Sequence, residues 1–270
     1  MIDGDVAIAT DSTPSETPVG RRVPALAARN LTKSFGHVRA LRGVSFEAYA
    51  GEVTGLVGDN GAGKSTLIKC IAGVIQPDNG AIEVNGQEVE MTDPEHATRL
   101  GIETVYQDLA LAPDLDAAAN VFLGRELRRL GVLHNHPEMR RRTARSFQDL
   151  GVGMVQDMRV PVASFSGGQR QSVAIARAAM WAEHVVIMDE PTAALGVIQT
   201  QKVLDLIQRI RDRGLAVVFV SHNLPQVIEI ADRIEVMRLG ARVARFQRDQ
   251  VDVERLIASI SGAFTNEVPA

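Results

Sequence analysis

Nine consecutive residues, Gly58-Asp59-Asn60-Gly61-Ala62-Gly63-Lys64-Ser65-Thr66, have the composition of a loop that holds phosphate. The glycines let backbone N–H groups converge on anionic oxygens, and a helix starting at the loop's end adds positive potential. Lys64 can neutralise β and γ phosphates, and Ser65 can offer its hydroxyl to Mg2+. Two carboxylates, Asp189 and Glu190, close the apolar run Val185 to Met188. Asp189 suits a Mg2+ shell, while Glu190 can polarise an attacking water as a general base. His222 follows a second apolar run, Leu215 to Val220, where a neutral imidazole can bond a terminal phosphate and that water together. Gln107, after the β-like run Ile102 to Tyr106, has the reach to touch the metal or the water.

These groups act together only if a scaffold delivers them to one edge. Buried parallel strands do so, because their carboxyl ends line the crevice where ligands bind. Val53 to Val57 leads into the glycine loop, and the helical run Leu67 to Ala72 follows it. The amphipathic stretch Thr200 to Arg211 lies between the runs ending at Met188 and Val220, giving β-α-β and a parallel sheet. Further β-like runs are Val44 to Phe46 and Ala81 to Val84, the latter after the turn Pro77-Asp78-Asn79-Gly80. Pro94 to Leu100, Asp116 to Leu130 and Pro137 to Leu150 have helical spacing. Ile234 to Arg238 and Arg242 to Phe246 predict a hairpin before a last helix around Asp252 to Ile260. Phe165-Ser166-Gly167-Gly168-Gln169 precedes the helical stretch Arg170 to Met180, which makes a second anion-binding helix start or simply a good N-cap.

The chain has 270 residues, 45% hydrophobic and 23% charged, which suits one large globular domain. Its net charge of -4 excludes gathering nucleic acid by charge alone. No apolar run reaches the roughly 20 residues of a membrane-spanning helix. Residues 1–24 are acidic and polar, with the texture of a disordered tail and not of an export signal. Cys70, between Ile68 and Ile71, is expected to be a buried structural thiol. His134-Asn135-His136, between Gly131 and Pro137, has no carboxylate or Cys cluster beside it and is expected to be a solvated loop, not a metal site. Arg125, Arg128, Arg129, Arg140, Arg141, Arg142 and Arg145 form either a solvated helical face or a surface meeting acidic or lipid groups. Trp181 reads as packing, and Met154, Met158 and Met180 as core filling.

Five elements in fixed order resemble the ATP-binding subunits of ABC transporters: Gly58 to Ser65 as Walker A, Gln107, the signature Phe165 to Gln169, Walker B at Val185 to Glu190, and His222. Phe35 matches that family's adenine-stacking aromatic. Asn120-Val121-Phe122-Leu123-Gly124-Arg125-Glu126 and Asp189 to Gly196 are similar to its monosaccharide-uptake class. The resemblance implies an α/β P-loop NTPase core with an antiparallel β subdomain and a helical subdomain inserted near 110–165, all within one ATPase domain at 25–270. It implies ATP and Mg2+ as ligands, with ATP sandwiched in a homodimer between the loop Gly58 to Thr66 and the partner's Ser166, Gly167, Gly168 and Gln169. It further implies multi-span permease subunits, a periplasmic or surface sugar-binding protein, and a place at the cytoplasmic face of the inner membrane. Soluble ABC ATPases of translation or repair carry tandem copies or long coiled coils, and simple P-loop kinases have no use for this signature. Gly196 stands where most of the family has Asp, which would fit either weaker cross-site coupling or a nucleotide-binding scaffold.

Overall fold

A computed structural model describes residues 22–129, 133–152 and 159–266. Most of the predicted tail, Met154 and Met158 therefore lie outside the described residues. The chain opens with β1 (Leu26–Phe35) and β2 (Val38–Ala48), a hairpin, followed by β3 (Val53–Val57) and α1 (Lys64–Ile71). Next come β4 (Asn79–Val84), β5 (Gln87–Val89), α2 (Pro94–Arg99), β6 (Ile102–Val105) and α3 (Ala117–Val121). A short pair, β7 (Arg128–Arg129) and β8 (Leu133–His134), leads to α4 (His136–Asp149) and α5 (Gly167–Trp181). The rest is β9 (Val185–Asp189), α6 (Val197–Asp212), β10 (Ala216–Val220), α7 (Leu224–Ile230), β11 (Arg233–Arg238), β12 (Ala241–Gln247) and α8 (Val253–Ser261).

The central sheet has the order β12-β11-β3-β10-β9-β6, with β12 antiparallel to β11 and every other neighbouring pair parallel. A second, antiparallel sheet runs β2-β1-β4-β5. Side chains alternate along a strand, so an unbroken apolar strand fills both faces. Val185 and Ile187 of β9 pack on the side of α1 and the antiparallel sheet, whereas Val186 and Met188 pack on the side of α5 and α6. Cys70 is buried on the first of these sides, where burial pushes its thiol up to about 11. Such a thiol is protonated at neutral pH and acts as a small apolar group.

Charge joins the two sheets. Glu47 on β2 is hydrogen-bonded by Arg29 at 2.5 Å, by Arg245 at 3.1 Å and by the Tyr49 hydroxyl at 3.0 Å. Arg245 also donates 2.6 Å to the fully buried Glu235. Removing one member of a buried group like this costs roughly 3–5 kcal/mol, because the opposite charge is left stranded.

Two sequence expectations change. The helix expected over Asp116 to Leu130 stops at Val121, and Gly124 turns the chain with φ +79°, a conformation that favours glycine. The run Val44 to Phe46 is only part of an eleven-residue strand. Of the arginines on α4, Arg140 pairs with Asp116 at 3.0 Å, while Arg141 and Arg142 pair with Glu138 on the helix's own exposed surface and Arg145 is exposed. Arg125 pairs with Glu103 and lies over the Trp181 ring, whose indole N–H donates to Val121 O at 2.8 Å. The packing role for Trp181 is what the structure shows. Asn135, between the two histidines, caps α4 through Glu138 N–H. No group of three or more metal-binding His, Cys, Asp or Glu side chains exists among the described residues.

Candidate nucleotide site

The loop after β3 is shaped by what surrounds it. A Cβ on Gly58 would collide with Met237 O, and one on Gly63 would lie 2.6 Å from Ala40 O; both residues have positive φ. Only glycine lets the backbone pass so close to β2 and β11. Gly63 then caps α1 without any side-chain acceptor, so the helix's first N–H groups have no intrahelical partner. Lys64 turns back over this loop, donating to Gly58 O at 2.7 Å and Asp59 O at 3.1 Å. Burial lowers its ammonium's pKa, and the negative charges of Glu190, Asp189 and Asp59 work against that shift. A cation so desolvated gains from an arriving anion.

Both sides of the loop are open. On one side a cavity of about 600 Å³ is lined by Gly58, Asp59, Asn60, Gln107, Glu190 and His222. On the other a cavity of about 520 Å³ lies between the loop, from Asn60 to Thr66, and the start of β2, from His37 to Arg42. Phe35 ends β1 directly opposite Val38 and is 48% exposed.

Glu190 and His222 are delivered by neighbouring strands β9 and β10. Glu190 N–H donates to Val220 O at 2.9 Å, which ties the two strand ends together, and Glu190 adopts φ +52°. A non-glycine residue held in that region marks a position over-determined by its surroundings. Its carboxylate Oε1 lies 2.9 Å from His222 Nδ1. A neutral ring protonated at Nδ1 donates to the carboxylate and leaves Nε2 free to accept. The imidazole is 74% exposed and the Glu190 side chain only 18%, so the pair runs from the cavity floor outward. Asp189, one residue earlier, is half-buried; burial raises its carboxyl pKa, as does Glu190, and Lys64 opposes the shift.

The structure brings Gly58 to Thr66, Gln107, Asp189, Glu190 and His222 together, and it places Ser166 to Gln169 elsewhere. That segment starts α5 and forms a reciprocal cap: Gln169 N–H donates to Ser166 Oγ, and Ser166 N–H donates to Gln169 Oε1. Its neighbours are Leu195 and Gln199, and neither cavity beside the glycine loop is lined by it. Sequence reasoning also missed several lining residues. Ile257, Ile260 and Ser261 of α8 reach the Glu190 cavity without any local motif. Arg177 fixes the segment after Gln107 by donating to Ala110 O and Leu109 O.

A phosphate-binding loop, a carboxylate pair and a histidine gathered at the carboxyl edge of a parallel sheet define the class of P-loop ATPases. Residues 41–193 match the ABC transporter family, and the chain belongs to that family. It is 45% identical over 246 residues to the fructose import ATP-binding protein of Rhizobium meliloti, covering 89% of this chain and 95% of that protein. It is 44% identical to the xylose/arabinose import ATP-binding protein of Sulfolobus acidocaldarius, over 86% of this chain and 91% of that one. A ribose import ATP-binding protein of Yersinia pestis is 38% identical over 89% of this chain, which spans 47% of that longer protein. An ATP-binding cassette of an ABC transporter, solved in its ADP conformation, shares the fold with TM-score 0.75 at 24% identity, covering 88% of this chain and 95% of that one. A dimeric cassette bound to ADP and phosphate gives 0.70 at 26% identity, covering 83% of this chain and 98% of that one.

Proposed function

We propose that this chain is the ATP-hydrolysing subunit of a monosaccharide importer, acting as a head-to-tail homodimer on a separate membrane permease that receives sugar from a binding protein. The observation that carries this reading is the cavity where Gly58 to Asn60 of the glycine loop meets Gln107 and the Glu190–His222 pair, with Lys64 folded back onto Gly58 O. The names of the relatives supply the sugar and the direction. No helix among the described residues is long and apolar enough to cross a membrane, which fits a subunit joined to the cytoplasmic face through its permease.

Lys64 and the N–H groups at the start of α1 hold the phosphates, and Phe35 stacks on adenine. Ser65, Asp189 and Gln107 present a hydroxyl, a carboxylate and an amide oxygen, the hard oxygen donors that Mg2+ prefers. Mg2+ held by these residues would supply neutralisation of phosphate charge. Glu190 takes the proton of the attacking water, and His222 holds its carboxylate in place while Nε2 faces the γ-phosphate. The partner's Ser166, Gly167, Gly168 and Gln169 close the site from the opposite side. Closure moves the permease and hydrolysis resets it.

The test pairs Glu190→Gln with the parent chain in size-exclusion and ATPase measurements, with and without Mg-ATP. We expect an ATP-dependent dimer of the variant and a loss of hydrolysis of about 100-fold or more, the scale of a general base. Turnover equal to the parent's would overturn the role of Glu190, and a variant that stays monomeric in Mg-ATP would overturn the sandwich.

A further inference from the structure

The two cavities beside the glycine loop give the site a direction. The terminal phosphate must face Glu190 and His222, so the nucleoside end leaves the loop toward the other cavity, between Asn60 to Thr66 and the start of β2. Two large apolar side chains line that cavity while exposed to solvent: Val38, 66% exposed, and Leu239, 61% exposed. Val38 sits opposite Phe35 on the β1–β2 hairpin. Leu239 comes from a different place, the turn between β11 and β12, just over two hundred residues later in the chain.

That turn is unusual in its residue type. Arg238 pairs with Ala241, so Leu239 and Gly240 are the two loop residues, with φ +48° and +80°. A two-residue hairpin with both central residues at positive φ favours Asn, Asp or Gly, and a leucine in the first position is strained and exposed at once. Local structure therefore gives no reason for a leucine here.

The turn is also fixed against the loop. Gly240 N–H donates to Ala62 O at 3.0 Å, and Gly240 O accepts from Arg42 N–H at 2.7 Å. One residue thus bonds the glycine loop and β2, and a Cβ on it would lie 2.8 Å from Ala40 O. Leu239 is carried beside both.

Resting on the nucleotide reading above, we infer that Leu239 is a nucleotide-contacting residue: its side chain, with Val38, forms an apolar wall for the nucleoside of the bound triphosphate. Gly240 is the positioning residue that holds this wall against the glycine loop. A strained, solvent-facing leucine is retained because the ligand covers it.

Calorimetric titration of the full chain with ATP and, separately, with tripolyphosphate separates nucleoside from phosphate binding. Leu239→Asn suits the turn better than leucine, so its Tm should equal or exceed the parent's. It should nevertheless bind ATP about fivefold more weakly, the scale of covering roughly half a leucine side chain, with tripolyphosphate binding unchanged. Leu239→Met, which keeps an apolar side chain, should restore ATP affinity. Unchanged ATP affinity in Leu239→Asn would overturn the contact, as would equal weakening of both ligands, which would place the effect in the loop. A parent chain that binds neither ligand would instead bring down the nucleotide reading on which this inference stands.

Discussion

The helix starts of α1 and α5 both combine glycine with serine, Gly63 before Lys64-Ser65 and Ser166 before Gly167-Gly168, yet the structure finishes them in opposite ways. At α1, Gly63 supplies no side-chain cap, and no acidic residue sits in the first turn. The helix start is left open beside a buried lysine. At α5, Ser166 and Gln169 satisfy each other's backbone N–H groups, so only the N–H groups of Gly167 and Gly168 lack an acceptor within the helix or its cap. On the proposed reading, the open end binds phosphate within one chain. A capped end is already stable in the isolated chain, and its two remaining N–H groups suit a lighter contact made only when another surface arrives. The difference fits a site whose main binding energy is local and whose closing half comes from a second copy.

The largest effect should come from breaking the open end. Lys64→Ala removes a charge-assisted contact to phosphate and should weaken ATP binding by about 100-fold, measured by titration. Affinity within a few-fold of the parent would show that α1 does not dominate binding. At the capped end, Gly168→Val meets Gln199, since a Cβ there would lie 2.7 Å from Gln199 Cγ. Displacing the α5 start should reduce steady-state hydrolysis by roughly tenfold or more, as misplaced catalytic groups do, with single-chain ATP affinity kept. An equal fall in ATP affinity would mean that the two ends are not independent.

How much of this could be read from the chain follows from the range of the interactions. The glycine loop, β9, β10 and the β11–β12 hairpin were legible because their signals are local: apolar runs, turn glycines and residues at strand ends. β1 was not, because the consecutive polar residues Arg29-Asn30 and Thr32-Lys33-Ser34 break the two-residue alternation of a strand, at the points where register shifts interrupt its pairing with β2. The Arg245–Glu47 contact joins residues 198 positions apart and leaves no mark in either neighbourhood. The same holds for Ile257 in the Glu190 cavity and for Leu239 beside the loop. Arg125 and Arg140 could not be told apart in the sequence from the exposed Arg141 and Arg142, because their carboxylate partners Glu103 and Asp116 come from other elements.

A smaller effect should follow from removing the cap itself. Ser166→Ala deletes the acceptor for Gln169 N–H and should cost about 1 kcal/mol, or roughly 2–4 °C in Tm for a domain of this size. Single-chain ATP binding should not change, because α1 carries it. A Tm equal to the parent's would mean that the cap seen here adds nothing to stability, and the contrast between the two ends would lose its energetic side.

The smallest effect tests a third helix start. Gly196 is the N-cap of α6 and, like Gly63, provides no side-chain acceptor. Unlike Gly63, it has φ −72°, an ordinary backbone conformation open to any residue, and a Cβ would meet only the movable end of Gln199. Gly196→Asp should therefore cap α6 and raise stability by a few tenths of a kcal/mol, with ATP affinity unchanged. Loss of ATP affinity would show that an uncapped helix start is enough to make a phosphate site in this fold. Retained affinity would show that the open end of α1 works because a buried lysine and a glycine-shaped loop surround it, neither of which α6 has.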